Sequence, residues 1–452
     1  MRQRLVLPFL LPILFFGVFI LVGAVLLTLP VASAGAQVGW VDALFTATSA
    51  MCVTGLAVLD TGTAFTRFGQ SVILVLIQLG GLGIMTYTSL LIYLLGRKVS
   101  LTDRIAMEQS LVRDSSFQLG RFLITVVCGA LFIELIGAVL LYLQDPVHFG
   151  PYSAMFHAVS AFCNAGFSLF PDSLSRFQFD WGMNIVFAIL ITLGGLGFYV
   201  ISELVIVARS RLKKQTVHKP FLFSWHTRVV LETTLFITIV GTVLLFLAEL
   251  AGGQEYGSWQ DTLLVSFFQT VTCRTAGFNS VDIGGMTNLA LVFMLPIMFV
   301  GGSPGSCAGG VKTTTLRVWW GFVVSCIKGR EQTVVGRYAL SRQGLNKAFT
   351  LITFAVLLVS LATAILNVTE GGDVPHTMAR GRFLEILFEV ISAFTTTGLS
   401  MGLTPELSIL GKIQVIILMF IGRLGPVWLI SLLQIWQGTP RYKVPEDELP
   451  VG

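Results

Sequence analysis

Four stretches of this chain end on a glycine set among small or hydroxylic residues, with no carboxylate beside it. They are Val53-Thr54-Gly55, Asn164-Ala165-Gly166, Thr275-Ala276-Gly277 and Thr396-Thr397-Gly398. The chemistry open to such residues is that of the backbone. A cation leaving water for an apolar interior needs oxygen ligands, and main-chain carbonyls supply them without net charge. Glycine lacks a Cβ, so it accepts unusual backbone angles and lets an ion or a second backbone come close. The lack of carboxylates argues against tight binding of a divalent ion. These twelve residues are the candidate ligands of a filter for a bare monovalent cation.

The elements that must position them are repeated too. Each glycine is the eleventh residue of a twelve-residue stretch: FTATSAMCVTGL, FHAVSAFCNAGF, FFQTVTCRTAGF and FEVISAFTTTGL. A phenylalanine stands ten residues before each glycine, at Phe45, Phe156, Phe267 and Phe388, and the glycines are 111, 111 and 121 residues apart. The apolar part of each stretch spans about a dozen residues, whereas crossing a bilayer takes about 20. Such a segment enters a membrane and stops. The C-terminal ends of four half-helices around one axis each carry about half a negative charge, which favours a cation there. Tight helix packing through small residues is the competing account of a single copy. Four copies at a fixed period favour a pore.

Composition agrees. The chain has 452 residues, 54% hydrophobic and 12% charged, with net charge +5 and a mean hydropathy of +0.82. Soluble proteins carry about 25% charged residues, so this is a polytopic membrane protein. The first apolar run is long enough to span and has no convincing cleavage site, so it reads as a span rather than a signal peptide. We expect an all-α fold of four parallel span–pore-helix–span repeats around a central pore, with eight spans and four re-entrant half-helices. The repeats fall at residues 1–96, 97–208, 209–328 and 329–436, followed by a tail at 437–452. The second span of repeat one runs from about Gly69 to Leu95, and that of repeat two from about Met183 to Ala208. Asp42 is a candidate N-cap for the first half-helix. The linkers between repeats are rich in Lys and Arg, which puts them and both termini in the cytoplasm of a plasma-membrane protein. They read as topology determinants, with no nucleic-acid partner. Cys52, Cys128, Cys163, Cys273, Cys307 and Cys326 form no metal-binding pattern and read as small buried hydrophobes.

Repeat three departs from the pattern. Its second span is interrupted by Gly301, Gly302, Ser303, Pro304, Gly305, Ser306, Cys307, Ala308, Gly309 and Gly310. Five glycines and a proline in ten residues preclude a stable helix. Irregular backbone at membrane depth survives only where protein or water satisfies it. The stretch aligns with Gly80-Gly81-Leu82-Gly83 and Gly194-Gly195-Leu196-Gly197, so residues 301–313 read as a gate loop under the filter. Gly305, Gly310 and Lys312 half-match a phosphate-binding loop, but Val311 separates glycine from lysine and no strand is expected before it. Lys312 is grouped with the gate. Arg423 replaces the second glycine of the motif in repeat four, and an arginine in a span usually serves function. It reads as a tether and a barrier at the gate. Arg274, beside the third filter stretch, reads as bracing the filter from behind. Asp60, Asp172 and Asp282 follow their glycines by five or six residues. They form an acidic outer vestibule or are ordinary solvated turn residues, and the sequence supports both alike.

Taken together, TATSAMCVTGL, GGLG, RTAGFNSVD, GGSPGSCAGGVKTTT and IGRLGP resemble the Trk/Ktr/HKT superfamily of cation transporters, and in particular the membrane subunits of bacterial Ktr potassium uptake systems. The resemblance covers nearly the whole chain. It implies a channel-like potassium transporter with no tightly bound cofactor, potassium as its substrate, and sodium dependence left open. It further implies a homodimer in the lipid bilayer that works with a cytoplasmic ring of nucleotide-binding regulatory subunits. In such relatives serine at the first filter glycine goes with sodium transport, and here that residue is Gly55. A sodium transporter of the same fold is the alternative. A secondary transporter of an organic solute would favour inverted repeats and paired broken helices, whereas these repeats are parallel. An enzyme would need a catalytic constellation, and His148, His157, His218, His226 and His376 are scattered.

Overall fold

A computed structural model describes residues 2–83, 119–212, 223–253, 256–372, 375, 379 and 381–425. The first inter-repeat linker and the tail at 437–452 lie outside the described residues. The described chain is helical apart from one two-stranded hairpin, Val334–Val335 with Tyr338–Ala339.

Three kinds of helix recur in all four repeats among the described residues. The leading helices are Arg2–Leu27, Leu119–Gln144, Trp225–Ala251 and Arg342–Glu370. The half-helices are Trp40–Met51, Pro151–Phe162, Trp259–Thr272 and Arg382–Thr395, of 12 to 14 residues. The trailing helices are Arg67–Gly81, Trp181–Leu196, Asn288–Phe299 and Ile409–Leu424. Each trailing helix starts at a side-chain cap, from Thr66, Asp180, Thr287 and Ser408, which satisfies an amide the helix leaves open. The half-helices are buried along their C-terminal turns, and their inward phenylalanines Phe45, Phe156 and Phe388 are fully buried.

The repeats close into a ring. Each trailing helix packs on the half-helix of the next repeat, one on two, two on three, three on four, and four back on one. Large apolar side chains remain exposed along the leading helices, among them Phe132, Leu235, Phe236 and Leu357. In a chain of this composition such faces meet lipid. Among the described residues, three single helices are long and apolar enough to cross a membrane, and the pair Trp181–Leu196 and Phe198–Arg209 forms a broken fourth.

Several details differ from the sequence reading. The second span of repeat two does not run straight to Ala208: its two parts are bent by 106° at Gly197, whose φ of 90° ends the helix. Gly83 and Gly425 hold the matching position with φ of 80° and 82°, so the last glycine of the motif is a helix stop. The first half-helix begins at Trp40 behind Gly39. Asp42 lies inside its first turn, and its carboxylate accepts from Lys412 at 2.7 Å. Repeat three is shifted by one residue. There Phe268 is the fully buried aromatic and Phe267 is only partly buried. Four cysteines are buried, but Cys128 and Cys326 are exposed.

Candidate functional site

The site starts from backbone geometry. Gly55, Gly166, Gly277 and Gly398 all have positive φ, at 94°, 69°, 78° and 88°. The residue two before each is also left-handed: Val53 at 55°, Asn164 at 58°, Thr275 at 66° and Thr396 at 54°. Non-glycine residues rarely adopt this conformation, and it persists only where the surroundings enforce it.

What enforces it is the half-helix behind. The amides of Val53 and Thr54 donate to the carbonyls of Ala50 and Ser49, those of Asn164 and Ala165 to Ala161 and Ser160, and those of Thr396 and Thr397 to Ala393 and Ser392. A hydroxyl completes each support. Gly55 N donates to Ser49 Oγ at 3.1 Å and Gly398 N to Ser392 Oγ at 3.0 Å. Ser160 Oγ donates to Phe167 O at 2.7 Å and Thr272 Oγ1 to Phe278 O at 2.9 Å. The sequence reading missed these four hydroxyls. Ser49, Ser160 and Ser392 share one place in the repeat, whereas Thr272 is masked by the one-residue shift.

Most of these amides are thus held, and the carbonyls are not. Among the described residues, none donates a hydrogen bond to the carbonyls of residues 53–55, 164–166, 275–277 or 396–398. These residues are buried or nearly so, and buried carbonyls are almost always partnered. The four glycines also abut in cyclic order. A Cβ on Gly55 would lie 2.6 Å from Ala165 O, one on Gly166 2.7 Å from Ala276 O, and one on Gly277 2.5 Å from Thr397 O; one on Gly398 would collide with Thr54 O. The glycine-bearing segments of the four repeats therefore surround one axis, too close for any side chain at these positions.

Beneath this ring the trailing helices meet the half-helices at glycines. A Cβ on Gly80, Gly194 or Gly422 would strike the carbonyl of Met51, Phe162 or Phe394. In repeat three the helix stops at Phe299 and residues 301–310 form a loop. Val300 and Val311 close its neck as a parallel bridge, with Gly301 N donating to Val311 O at 2.9 Å. The loop is held by its neighbours. Ser303 N donates to Gly195 O at 3.0 Å and Cys307 N to Gly194 O at 3.2 Å. Lys312 Nζ donates to Ala308 O at 2.7 Å, which commits it to the loop. Arg423 donates to Cys307 O from Nη1 and to Gly80 O from Nη2. One guanidinium thus joins repeats one, three and four at the loop.

Arg274 is buried and turns away from the ring, with Nη2 3.4 Å from Thr234 Oγ1 on a leading helix. The three aspartates hold turns. Asp60 accepts from Gly62 N at 2.7 Å and Asp282 from Gly284 N at 3.1 Å. Asp172 is paired with Arg176 at 2.8 Å, and hydrogen bonding to that guanidinium holds its carboxyl below the usual carboxylate range. Three buried carboxylates, Glu134, Glu249 and Glu389, escaped the sequence reading, though an acidic residue inside an apolar helix was the available signal. Glu134 accepts from Gln78 Nε2 at 3.1 Å, and Glu389 accepts from Ser400 Oγ at 2.8 Å and from Thr404 Oγ1. His157 is also structural: its Nε2 accepts from Leu169 N at 3.2 Å just past Gly166.

With this geometry in view, comparison with known proteins is decisive. A family model described as "TrkH: Cation transport protein" matches residues 12–435. The chain belongs to the TrkH family of cation transport proteins. It is a multi-pass membrane transporter and not an enzyme. It is 39% identical over 444 residues to Ktr system potassium uptake protein B of Bacillus subtilis, covering 97% of this chain and 95% of the relative. It is 37% identical to the potassium/sodium uptake protein NtpJ of Enterococcus hirae, covering 97% and 95%. The crystal structure of the potassium transporter TrkH from Vibrio parahaemolyticus superposes with a TM-score of 0.73, at 20% identity, over 96% of this chain and 86% of that one. The likeness bears out the helical fold of the TrkH family.

Proposed function

We propose that this TrkH-family chain is the pore subunit of a Ktr-type system and carries potassium into the cell through the ring of four glycine backbones. The observation that carries the reading is the set of buried carbonyls at residues 53–55, 164–166, 275–277 and 396–398, which accept no hydrogen bond from the described residues. Uncharged oxygens held rigidly from behind replace the hydration shell of a monovalent cation. The half-helix C-termini that converge on them add negative potential. Gly55 at the first filter position and the potassium uptake relatives favour potassium. The potassium/sodium uptake protein among the relatives supports the sodium-conducting alternative, and selectivity measurements separate the two.

The loop at 301–310, tethered by Arg423 and Lys312, is the gate. The basic linkers favour the cytoplasmic side of the filter for it. The helix that follows it, Thr313–Ile327, couples it to a cytoplasmic nucleotide-binding ring that docks on a homodimer of this chain. Radioactive rubidium uptake into liposomes holding the pure protein tests the reading. Uptake should be blocked by excess external potassium and spared by excess sodium. Liposomes no leakier than protein-free ones, with the regulatory subunits present, would refute it.

A further inference from the structure

At the start of a leading helix lies a cavity of about 730 Å3 whose lining includes no residue of the glycine ring or of the loop at 301–310. It is enclosed by the helix Phe198–Leu212, the start of the leading helix Trp225–Ala251, the post-gate helix Thr313–Ile327 and the hairpin at 334–339. Three arginines line it, Arg228, Arg317 and Arg337, together with the carboxylates Glu203 and Glu232.

The carboxylates are already engaged. Glu203 Oε1 accepts from Ser224 N at 2.5 Å and its Oε2 from Ser224 Oγ at 2.8 Å and from Thr227 Oγ1. It fastens the start of the leading helix. Glu232 is paired with Arg228 at 3.0 Å on the same helix. Arg317 and Arg337 have no carboxylate partner among the described residues, and Arg317 Nε is a buried donor with no acceptor. A guanidinium left this way calls for an oxyanion, and its fork matches phosphate geometry.

The walls say what bears the phosphate. Trp225 and Tyr338 meet at 5.1 Å between ring centroids and both are partly exposed, as aromatic residues are where a membrane meets water. Trp225, Arg228, Val229 and Glu232 lie on one helical stripe. The same stripe continues as Leu235, Phe236, Ile239 and Val243, all exposed and apolar. The arginine-lined cavity and an exposed apolar track thus share one stripe of the same span. A soluble phosphate would have no use for the track. A basic pocket between membrane helices fits an anionic lipid headgroup.

We propose that this cavity is a binding site for an anionic phospholipid, with the phosphate diester held by Arg317 and Arg337 and an acyl chain laid along Leu235, Phe236 and Ile239. The proposal rests on the reading of Trp225–Ala251 as a membrane span, and does not depend on which ion the pore conducts. Its test therefore measures lipid, not flux. The full-length protein is purified from vesicles of equal phosphatidylglycerol and phosphatidylcholine, and retained lipid is measured by native mass spectrometry. The wild type should retain phosphatidylglycerol over phosphatidylcholine by about tenfold, and the preference should vanish in the double variant Arg317→Gln, Arg337→Gln. Arg337 sits on the exposed hairpin, so Arg337→Gln alone serves if the double variant does not fold, and it should lose most of the preference. Millimolar inorganic phosphate should not displace the lipid. Equal retention by variant and wild type would overturn the proposal, as would displacement by inorganic phosphate, which would make the site one for a soluble anion.

Discussion

Lys412 Nζ lies 2.7 Å from Asp42 Oδ1, joining the last trailing helix to the first half-helix. The two residues stand 370 positions apart in the chain, and their contact closes the ring of repeats. Both side chains are largely shielded, at 15% and 28% exposure, so the pair is screened less than a surface ion pair. In a double-mutant cycle with Lys412→Met and Asp42→Asn, the coupling energy should be about 1–2 kcal/mol. Unfolding of the protein in lipid nanodiscs reads it. Additive single losses would mean that the ring closes without this pair.

The hydroxyls behind the ring predict a graded effect. Ser49→Ala and Ser392→Ala each leave one glycine amide without its acceptor. A lost hydrogen bond of this kind costs about 1 kcal/mol. Each variant should fold and should weaken half-saturation by rubidium about fivefold, and the double variant more. Uptake kinetics in proteoliposomes check this.

Much of this site was legible in the sequence, because its parts recur at a fixed period. The four glycines, the half-helices and the broken stretch at 301–310 stand out by composition alone. What was not legible falls into two kinds. The first is local geometry that a single residue redirects. Gly197 turns an apolar run that reads as one span into a pair bent by 106°, and a shift of one residue hands the role of Phe267 to Phe268. The second is pairing between repeats. Nothing near Ser303 in the chain announces that its amide meets Gly195 O, and Asp42 reads as a helix cap until Lys412 is brought beside it. A glycine in the sequence shows where close approach is permitted, and only the fold shows what approaches.

The proposed gate makes a separate prediction. Arg423 donates to Cys307 O and Gly80 O, so Arg423→Ala removes both a tether of the loop and a positive charge beside the proposed path. Rubidium flux without regulatory subunits should rise about tenfold, the scale of one charge-assisted hydrogen bond. Deleting residues 304–308 should do the same and reduce dependence on the partner. Both changes should appear in maximum rate more than in half-saturation, because the glycine ring is untouched. A folded deletion variant with unchanged flux would place the gate elsewhere.

The most direct test concerns Gly55. Its φ of 94° and the 2.6 Å between its Cβ position and Ala165 O leave no room for a side chain without moving the ring. The measurement is the potassium-over-sodium permeability ratio, from cation gradients across proteoliposomes, for the wild type and Gly55→Ser. The account predicts a potassium-selective wild type, and a folded variant whose ratio falls by about tenfold or more as sodium is admitted and potassium uptake weakens. An unchanged ratio in a folded Gly55→Ser variant would contradict the assignment of the four glycines as the selectivity filter.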